Sequence, residues 1–132
     1  TNSHVIPALI RKFQDAKENN INSVECWGTG TPLREFLFVD DLAYAIKFIV
    51  ENNIETDLIN VGSNEEVSIL ELAKKIKSVV GFEGELFFDS TKPDGNPRKL
   101  LDSTLVNSKG WEAKINLSDG LEITYNWFKE NI

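Results

Sequence analysis

The basic loop at residues 92–99 is the segment whose side chains best suit a charged ligand. It reads Lys-Pro-Asp-Gly-Asn-Pro-Arg-Lys, with three cations and one anion, in a chain whose net charge is −7. Two prolines and a glycine limit its conformations, and lysine and arginine together suit a diphosphate. The alternative is a solvated turn whose cations pair with nearby acids. The residues by themselves leave both interpretations open.

His4 is the only histidine of the chain, and histidine is the usual proton-transfer residue near neutral pH. It lies at the predicted start of a helix, so it is either an acid or base of an active site or a polar residue at a helix end. Ser3 precedes it, but no third residue at hand completes a hydrolytic triad. His, Cys, Asp and Glu do not occur at metal-ligand spacing, so no metal site is predicted.

Trp27 and Arg34 flank a glycine-containing loop at residues 28–32. An indole beside such a loop could pack on a nucleobase or a sugar, or it could be half-buried in the core. Arg34 is either an anion ligand or a surface residue. Asp40 and Asp41 are predicted to cap a helix N-terminus rather than to bind a metal.

Composition excludes several classes of protein. The 132 residues fit one domain, and 41% hydrophobic and 27% charged residues are typical of a globular protein. Nucleic-acid binding is not expected, because the chain is acidic overall and such binding depends on clustered Lys and Arg that neutralise phosphates. No membrane span is expected either, because no stretch approaches the roughly 20 apolar residues required. Cys26 is the only cysteine, which favours a reducing, cytoplasmic compartment.

The order of the predicted elements favours an α/β fold of short strands with flanking helices. Hydrophobic spacing and capping signals predict the elements that follow. They are a helix from Ser3, strands 24–27 and 35–39, a helix from Asp40 that buries Leu42, Ala45, Ile46, Ile49 and Val50, a strand 58–62, a helix capped by Ser68 and ending near Gly81, a strand 85–88, a short helix 103–109 and a helix capped by Ser118.

One expected feature of a cofactor-binding α/β protein is missing from the sequence. No Gly-x-Gly-x-x-Gly turn joins an opening strand to a helix, because Gly28 and Gly30 lead to another strand. The chain therefore holds no dinucleotide-binding, or Rossmann, half. It also begins at Thr1 and contains no methionine, which predicts a piece excised from a longer chain.

Five segments carry a resemblance to a known enzyme family. They are 2–11, 27–36, 39–41, 59–62 and 92–102. Together they resemble the C-terminal part of the GDP-L-fucose synthase family, which are extended short-chain dehydrogenase/reductases. The Ser-His-Val-Ile-Pro start and the basic loop are the most particular to this family. The resemblance implies that residues 1–132 form a small C-terminal substrate-binding domain and that an N-terminal Rossmann domain is absent.

The resemblance also implies an activity and its partners. The whole enzyme would epimerise GDP-4-keto-6-deoxy-D-mannose at C3 and C5 and reduce C4 to give GDP-L-fucose. NADP(H) would bind to the whole enzyme and not to this chain alone, so the isolated chain is predicted to be inactive. The whole enzyme is expected to be a homodimer. The alternatives are the same domain of another nucleotide-sugar epimerase or dehydratase, and a non-catalytic module that binds nucleotide sugars.

The resemblance carries over residue by residue. His4 matches the acid of the epimerisation, opposite a catalytic cysteine of the absent domain. Cys26 does not match that cysteine. Lys12 stands where the family often has arginine, and Glu85 stands where some members carry a basic substrate contact. Positions that match substrate contacts, or are candidates for one by charge, are Val5, Leu9, Lys12, Trp27, Arg34, Arg98 and Lys99.

Overall fold

The computed structural model describes residues 4–132. Ser3, where the first helix was expected to begin, lies outside the described residues. The chain alternates helices and short strands, which confirms the α/β prediction. In order, the elements are α1 (Val5–Glu18), β1 (Ser23–Trp27), β2 (Leu33–Glu35), α2 (Val39–Glu51), β3 (Glu66–Ser68), α3 (Ile69–Val80), β4 (Glu85–Asp89), β5 (Arg98–Lys99), α4 (Thr104–Ser108) and α5 (Leu117–Asn131).

The strands form two small sheets. β1 and β4 pair in parallel, with Trp27 opposite Asp89 at their carboxyl ends. In the second sheet β2 lies between an antiparallel β3 and a parallel β5. The parallel pairs are joined by long connections through helices, as parallel pairing requires.

The main core lies between three helices and the sheet of β1 and β4. It is built from the apolar stripes of α1, α3 and α5 together with the inward side chains of β1. Phe13 of α1 is fully buried and its ring centroid lies 5.6 Å from that of Phe82. The periodicity that predicted α1 and α3 therefore marked the faces that pack in the core.

The ends of α3 follow the sequence prediction. Ser68 and Glu71 form a capping box, in which each side chain accepts a hydrogen bond from the backbone N–H of the other residue. Gly81 ends the helix in the left-handed conformation with φ +71°, which a residue without Cβ adopts at low cost.

Several strand predictions are wrong. The second strand is Leu33–Glu35 rather than 35–39, and β3 and β5 were not predicted. Residues 58–62 form no strand with any part of the described chain. Strands of two or three residues are too short to show an alternating pattern. Segment 58–62 has a strand-like composition, but a strand also needs a partner.

Two predicted helix caps are also wrong. Asp40 and Asp41 lie in the first turn of α2, as predicted, but neither caps the helix. The buried carboxylate of Asp41 instead accepts hydrogen bonds from the backbone N–H groups of Lys114 and Ile115, at 3.1 and 2.9 Å. α5 is capped by Asn116, not by Ser118, whose hydroxyl accepts a hydrogen bond from Lys75. The partners of Asp41 and Ser118 are far away in the sequence, so no local pattern could indicate them. The Asn116 cap is local, since its side chain accepts from the backbone N–H of Asp119 three residues on, and sequence reasoning missed it.

The apolar stripe predicted to be buried on α2 is largely exposed. Ala45 is fully buried, but Leu42, Ile46 and Val50 are 42%, 57% and 68% exposed. Val39, one turn before Leu42, is also exposed at 67%. A contiguous stripe of this kind is typical of a surface that another protein segment covers.

Candidate functional site

The two loops that carry the candidate ligand-binding residues leave the same edge of one sheet. Because β1 and β4 are parallel, their carboxyl ends at Trp27 and Asp89 lie side by side. The backbone N–H of Gly28 donates to the carbonyl oxygen of Asp89 over 3.0 Å. Ligands of α/β proteins commonly bind at this end of the strands.

Asp94 joins these two loops. Its Oδ1 accepts the backbone N–H of Thr29 at 2.8 Å, and its Oδ2 accepts the Thr29 hydroxyl at 2.7 Å. The two hydrogen bonds stabilise the ionised form and so lower the pKa of Asp94 from its ordinary value. The basic loop is therefore anchored at its middle to the loop that follows β1.

Trp27 is not part of the core. Its side chain is 68% exposed, and the ammonium nitrogen of Lys92 lies 5.5 Å from the ring centroid, within range for a cation–π interaction. The half-buried alternative is thus wrong, and an indole face is available at the edge where the loops meet.

Arg34 and Lys99, both predicted as ligand contacts, are neighbours in the second sheet. They lie opposite each other in the parallel β2–β5 register, so their side chains share one face and their Cα atoms are about 4.8 Å apart. Nη1 of Arg34 donates to the carbonyl oxygens of Leu33 and Asn96, at 2.6 and 2.7 Å. Arg34 thereby contacts the basic loop near its centre.

Arg98 points away from this pair, since successive side chains of a strand alternate between faces. Its guanidinium makes two hydrogen bonds of 2.7 Å to the carboxylate of Glu66 on β3. This bidentate contact lowers the pKa of Glu66 from its ordinary value. Arg98 therefore contacts the fold itself, while Lys99 next to it presents its charge on the other face.

A groove lies between α1 and the end of α5, with a volume of about 870 Å³. Lys12 and Trp27 both line it, which brings two predicted contact residues together. The ammonium of Lys12 donates to the carbonyl oxygen of Glu25, two residues before Trp27, over 2.5 Å. Arg11, which the sequence analysis did not select, also lines the groove and lies 5.4 Å from the ring of Phe128.

The remaining predicted residues lie along α1. His4 is the exposed N-cap residue, with an extended backbone conformation. Val5 is half-buried against the main core, and Leu9 is 7% exposed within it. Their contact with a ligand stays a prediction. Lys12 is seven residues after Val5, so both lie on the same side of the helix.

Glu85 lies far from the edge where the two loops meet, and Cys26 is buried. Glu85 begins β4 and is about 13 Å from Asp89 at its other end, from a rise of about 3.3 Å per residue. Cys26 is buried, which raises the pKa of its thiol and disfavours the reactive thiolate. Neither residue contributes to the arrangement around Trp27.

Sequence reasoning missed Asp94 and Thr29 as functional candidates. The only local signal was the Pro-Asp-Gly triplet, which was interpreted as a turn, and the partner of Asp94 is 65 residues away. Across residues 4–132 no group of three or more His, Cys, Asp or Glu could hold a metal ion. In that same range no helix has the length and hydropathy of a membrane span.

Comparison with known proteins identifies similar enzymes. Residues 1–62 match the model of the NAD dependent epimerase/dehydratase family. The chain is 54% identical to GDP-L-fucose synthase 1 of Arabidopsis thaliana, with 99% of the chain and 41% of that relative covered. It is 49% identical to GDP-L-fucose synthase of Escherichia coli K12, with 99% and 44% covered.

The chain is also similar in structure to a solved enzyme that acts on a GDP-sugar. The chain superposes on a GDP-mannoheptose C4 reductase from Campylobacter jejuni, solved with NADP bound, with a TM-score of 0.83 and 39% identity. That match covers 96% of this chain and 45% of the reductase. The chain spans about 40% of the length of the curated relatives it matches.

Proposed function

Because the chain is homologous to the GDP-L-fucose synthases over nearly its whole length, we propose that it is the nucleotide-sugar-binding part of such an enzyme. The whole protein would epimerise GDP-4-keto-6-deoxy-D-mannose at C3 and C5 and reduce C4 with NADPH to give GDP-L-fucose. The observation that carries the proposal is that the loop 92–99 contacts both Trp27 and Arg34.

The chemistry of this edge suits a nucleoside diphosphate sugar. The indole of Trp27 offers an apolar face to a sugar or a base. Arg34 and Lys99 put two positive charges on one face of the second sheet, where they would attract a dianionic diphosphate. An acidic chain of net charge −7 needs such a local cluster, since its other charges repel the ligand.

His4 is the proposed acid of the epimerisation. Removing a proton next to a ketone and returning one to the opposite face needs two groups, one on each side of the sugar. His4 supplies one of them at the exposed start of α1, and the base on the other side belongs to the part of the enzyme that this chain lacks.

The glycine-containing turn of this chain does not fit the cofactor. The turn at Gly28 and Gly30 leads into β2 and not to a helix N-terminus, so it cannot bind a pyrophosphate as a Rossmann turn does. We propose that NADP(H) binds to a separate N-terminal Rossmann domain. Two features support such a domain: the exposed stripe of α2 and segment 58–62, which has strand-like composition and no partner strand.

We expect the isolated 132-residue chain not to oxidise NADPH in the presence of GDP-4-keto-6-deoxy-D-mannose, because it lacks the cofactor site. The full-length protein should do so, and product analysis should identify GDP-L-fucose. The decrease in NADPH absorbance, followed at saturating NADPH, measures oxidation by the isolated chain and by the full-length protein. Turnover by the isolated chain above a no-enzyme control would contradict the assigned domain, and a full-length protein inactive on this sugar but active on another would contradict the substrate.

Charged substitutions on the α2 stripe test the absent domain. Leu42→Asp and Ile46→Asp should change the melting temperature of the isolated chain little, because exposed positions tolerate polar residues. In the full-length protein the same changes would bury an unpaired charge and should lower the melting temperature by about 2–4 °C for each kcal/mol of stability lost. Tyr44→Asp, at an exposed position of α2 outside the stripe, is the control. Equal effects of Leu42→Asp in both proteins would contradict the proposal.

The proposal also covers the oligomeric state and the cellular location of the whole enzyme. A homodimer and a cytoplasmic location were predicted from the resemblance and from the single cysteine, and both stay predictions. A different nucleotide-sugar enzyme or a non-catalytic module is less favoured, since the similar proteins reported above are named GDP-L-fucose synthases.

A further inference from the structure

The end of the basic loop is held by the pairing of β5 with β2 and by the contact of Arg98 with Glu66. Its middle, residues 92–96, is held by few contacts. Every residue from 90 to 102 is exposed, so burial in a core does not hold this segment. Arg34 donates to the carbonyl oxygen of Asn96, and Asp94 accepts two hydrogen bonds from Thr29. Of these contacts, only those of Asp94 tie the loop to the one that follows Trp27.

We propose that Asp94 is a positioning residue for the nucleotide sugar: by accepting both hydrogen bonds of Thr29, it holds the basic loop where its cations face the ligand. Lys92 precedes Asp94 by two residues and lies over Trp27, and Lys99 follows it by five and lies beside Arg34. Lys99 is also held by the pairing of β5 with β2, so release of Asp94 would free chiefly Lys92 and the middle of the loop to move away. This inference rests on the proposed function.

The residues around the Asp94 carboxylate favour this contact. Thr29 presents two donors, and a carboxylate is the side chain with two equivalent acceptor oxygens. The Thr29 hydroxyl also lies 2.7 Å from that of Thr31, which orients it. A Cβ on Gly28 would lie 2.3 Å from Oδ1 of Asp94, and Gly28 has φ +89°. Only glycine at position 28 leaves room for the carboxylate.

Because Asp94 is negatively charged, its removal distinguishes a positioning role from a purely electrostatic effect on ligand binding. A carboxylate inside a loop that binds a dianion repels the ligand, so its neutralisation would by itself strengthen binding. If Asp94 positions the loop, its removal weakens binding instead. The two roles therefore predict changes of opposite sign in the dissociation constant of the GDP-sugar.

The test uses the full-length protein. Asp94→Ala should raise the dissociation constant of the GDP-sugar about 10-fold, with NADPH affinity little changed. Asp94→Asn keeps one acceptor for the Thr29 backbone N–H and should raise it only about threefold. Thr29→Val removes the hydroxyl alone and should resemble Asp94→Asn. Calorimetric titration of each ligand gives these values, and hydrogen exchange at residues 28–31 should accelerate in Asp94→Ala.

Asp102→Asn is the matched control. Asp102 is also exposed, and hydrogen bonds from the side chain and the backbone N–H of Thr104, two residues away, likewise lower its pKa. It joins no distant segments, so its neutralisation should not weaken binding of the GDP-sugar.

Each outcome decides the inference. Weaker binding in Asp94→Ala with partial rescue in Asp94→Asn supports it. Equal or tighter binding in both variants overturns it, while the proposed function stands because the wild type still binds the GDP-sugar. A wild-type protein that binds no GDP-sugar overturns the proposed function and this inference together.

Discussion

His4→Gln in the full-length enzyme should slow epimerisation by about 10²–10⁴-fold, the usual contribution of a positioned proton-transfer group. Glutamine keeps a similar polar side chain but does not titrate near neutral pH. Because His4 is exposed at the start of α1, its replacement should leave the core and the melting temperature unchanged. The loss should therefore appear in catalysis and not in stability.

Deuterium incorporation from solvent at C3 and C5 of the sugar measures this effect directly. Binding of the GDP-sugar and of NADPH, titrated separately, serves as the control and should change little. Unchanged exchange at both carbons would make His4 a polar residue at a helix end and no more.

Lys99→Ala should raise the dissociation constant of the GDP-sugar by about 10- to 150-fold, as expected for the loss of a charge-assisted hydrogen bond. Affinity for NADPH should stay nearly constant, because we propose that the cofactor binds to a separate Rossmann domain. The difference between wild type and variant should shrink as salt rises, since screening weakens the wild-type attraction.

Arg98→Ala is the control that the structure offers for this experiment. Arg98 is adjacent in sequence and carries the same charge, but it lies on the opposite face and binds Glu66. Its replacement should change the GDP-sugar dissociation constant by less than about threefold. If Arg98→Ala weakens binding as much as Lys99→Ala, the assigned faces of β5 are wrong. If Lys99→Ala weakens NADPH binding equally, Lys99 supports the fold.

The pH dependence of the Arg98–Glu66 contact has a definite sign. Arg98 lowers the pKa of Glu66 in the folded protein, so the contact stabilises the fold above the ordinary pKa of a glutamate. The contribution is lost as the pH falls through the lowered value. Between neutral pH and pH 5, the difference in melting temperature between wild type and Arg98→Ala should therefore stay constant.

The sequence by itself determined most of the helices and both caps of α3, because these depend on nearby residues. The stripe of α1, the capping box of Ser68 and Glu71 and the left-handed Gly81 all involve neighbours within four residues. Hydrophobic period and cap chemistry are local, so they can be interpreted without a fold. The α/β class followed from the order of these elements.

The candidate site was only partly determined by sequence. A basic loop and an aromatic residue beside a glycine turn are visible as residue types, and Trp27, Arg34 and Lys99 were selected from them and from the resemblance. The strand β5 has two residues, so no pattern could show that Lys99 joins Arg34 while its neighbour Arg98 faces away. That assignment needs the register with β2.

Tertiary structure alone decided the contacts between distant segments. Asp94 contacts Thr29 across 65 residues, and Asp41 contacts Lys114 across 73. Local sequence therefore showed Asp94 only as the one anion of the basic loop and Asp41 only as a candidate cap. The stripe of α2 had the pattern of a buried face, yet it is exposed. Periodicity reports which face of a helix is apolar, and only the packing around that helix decides whether a neighbour covers it.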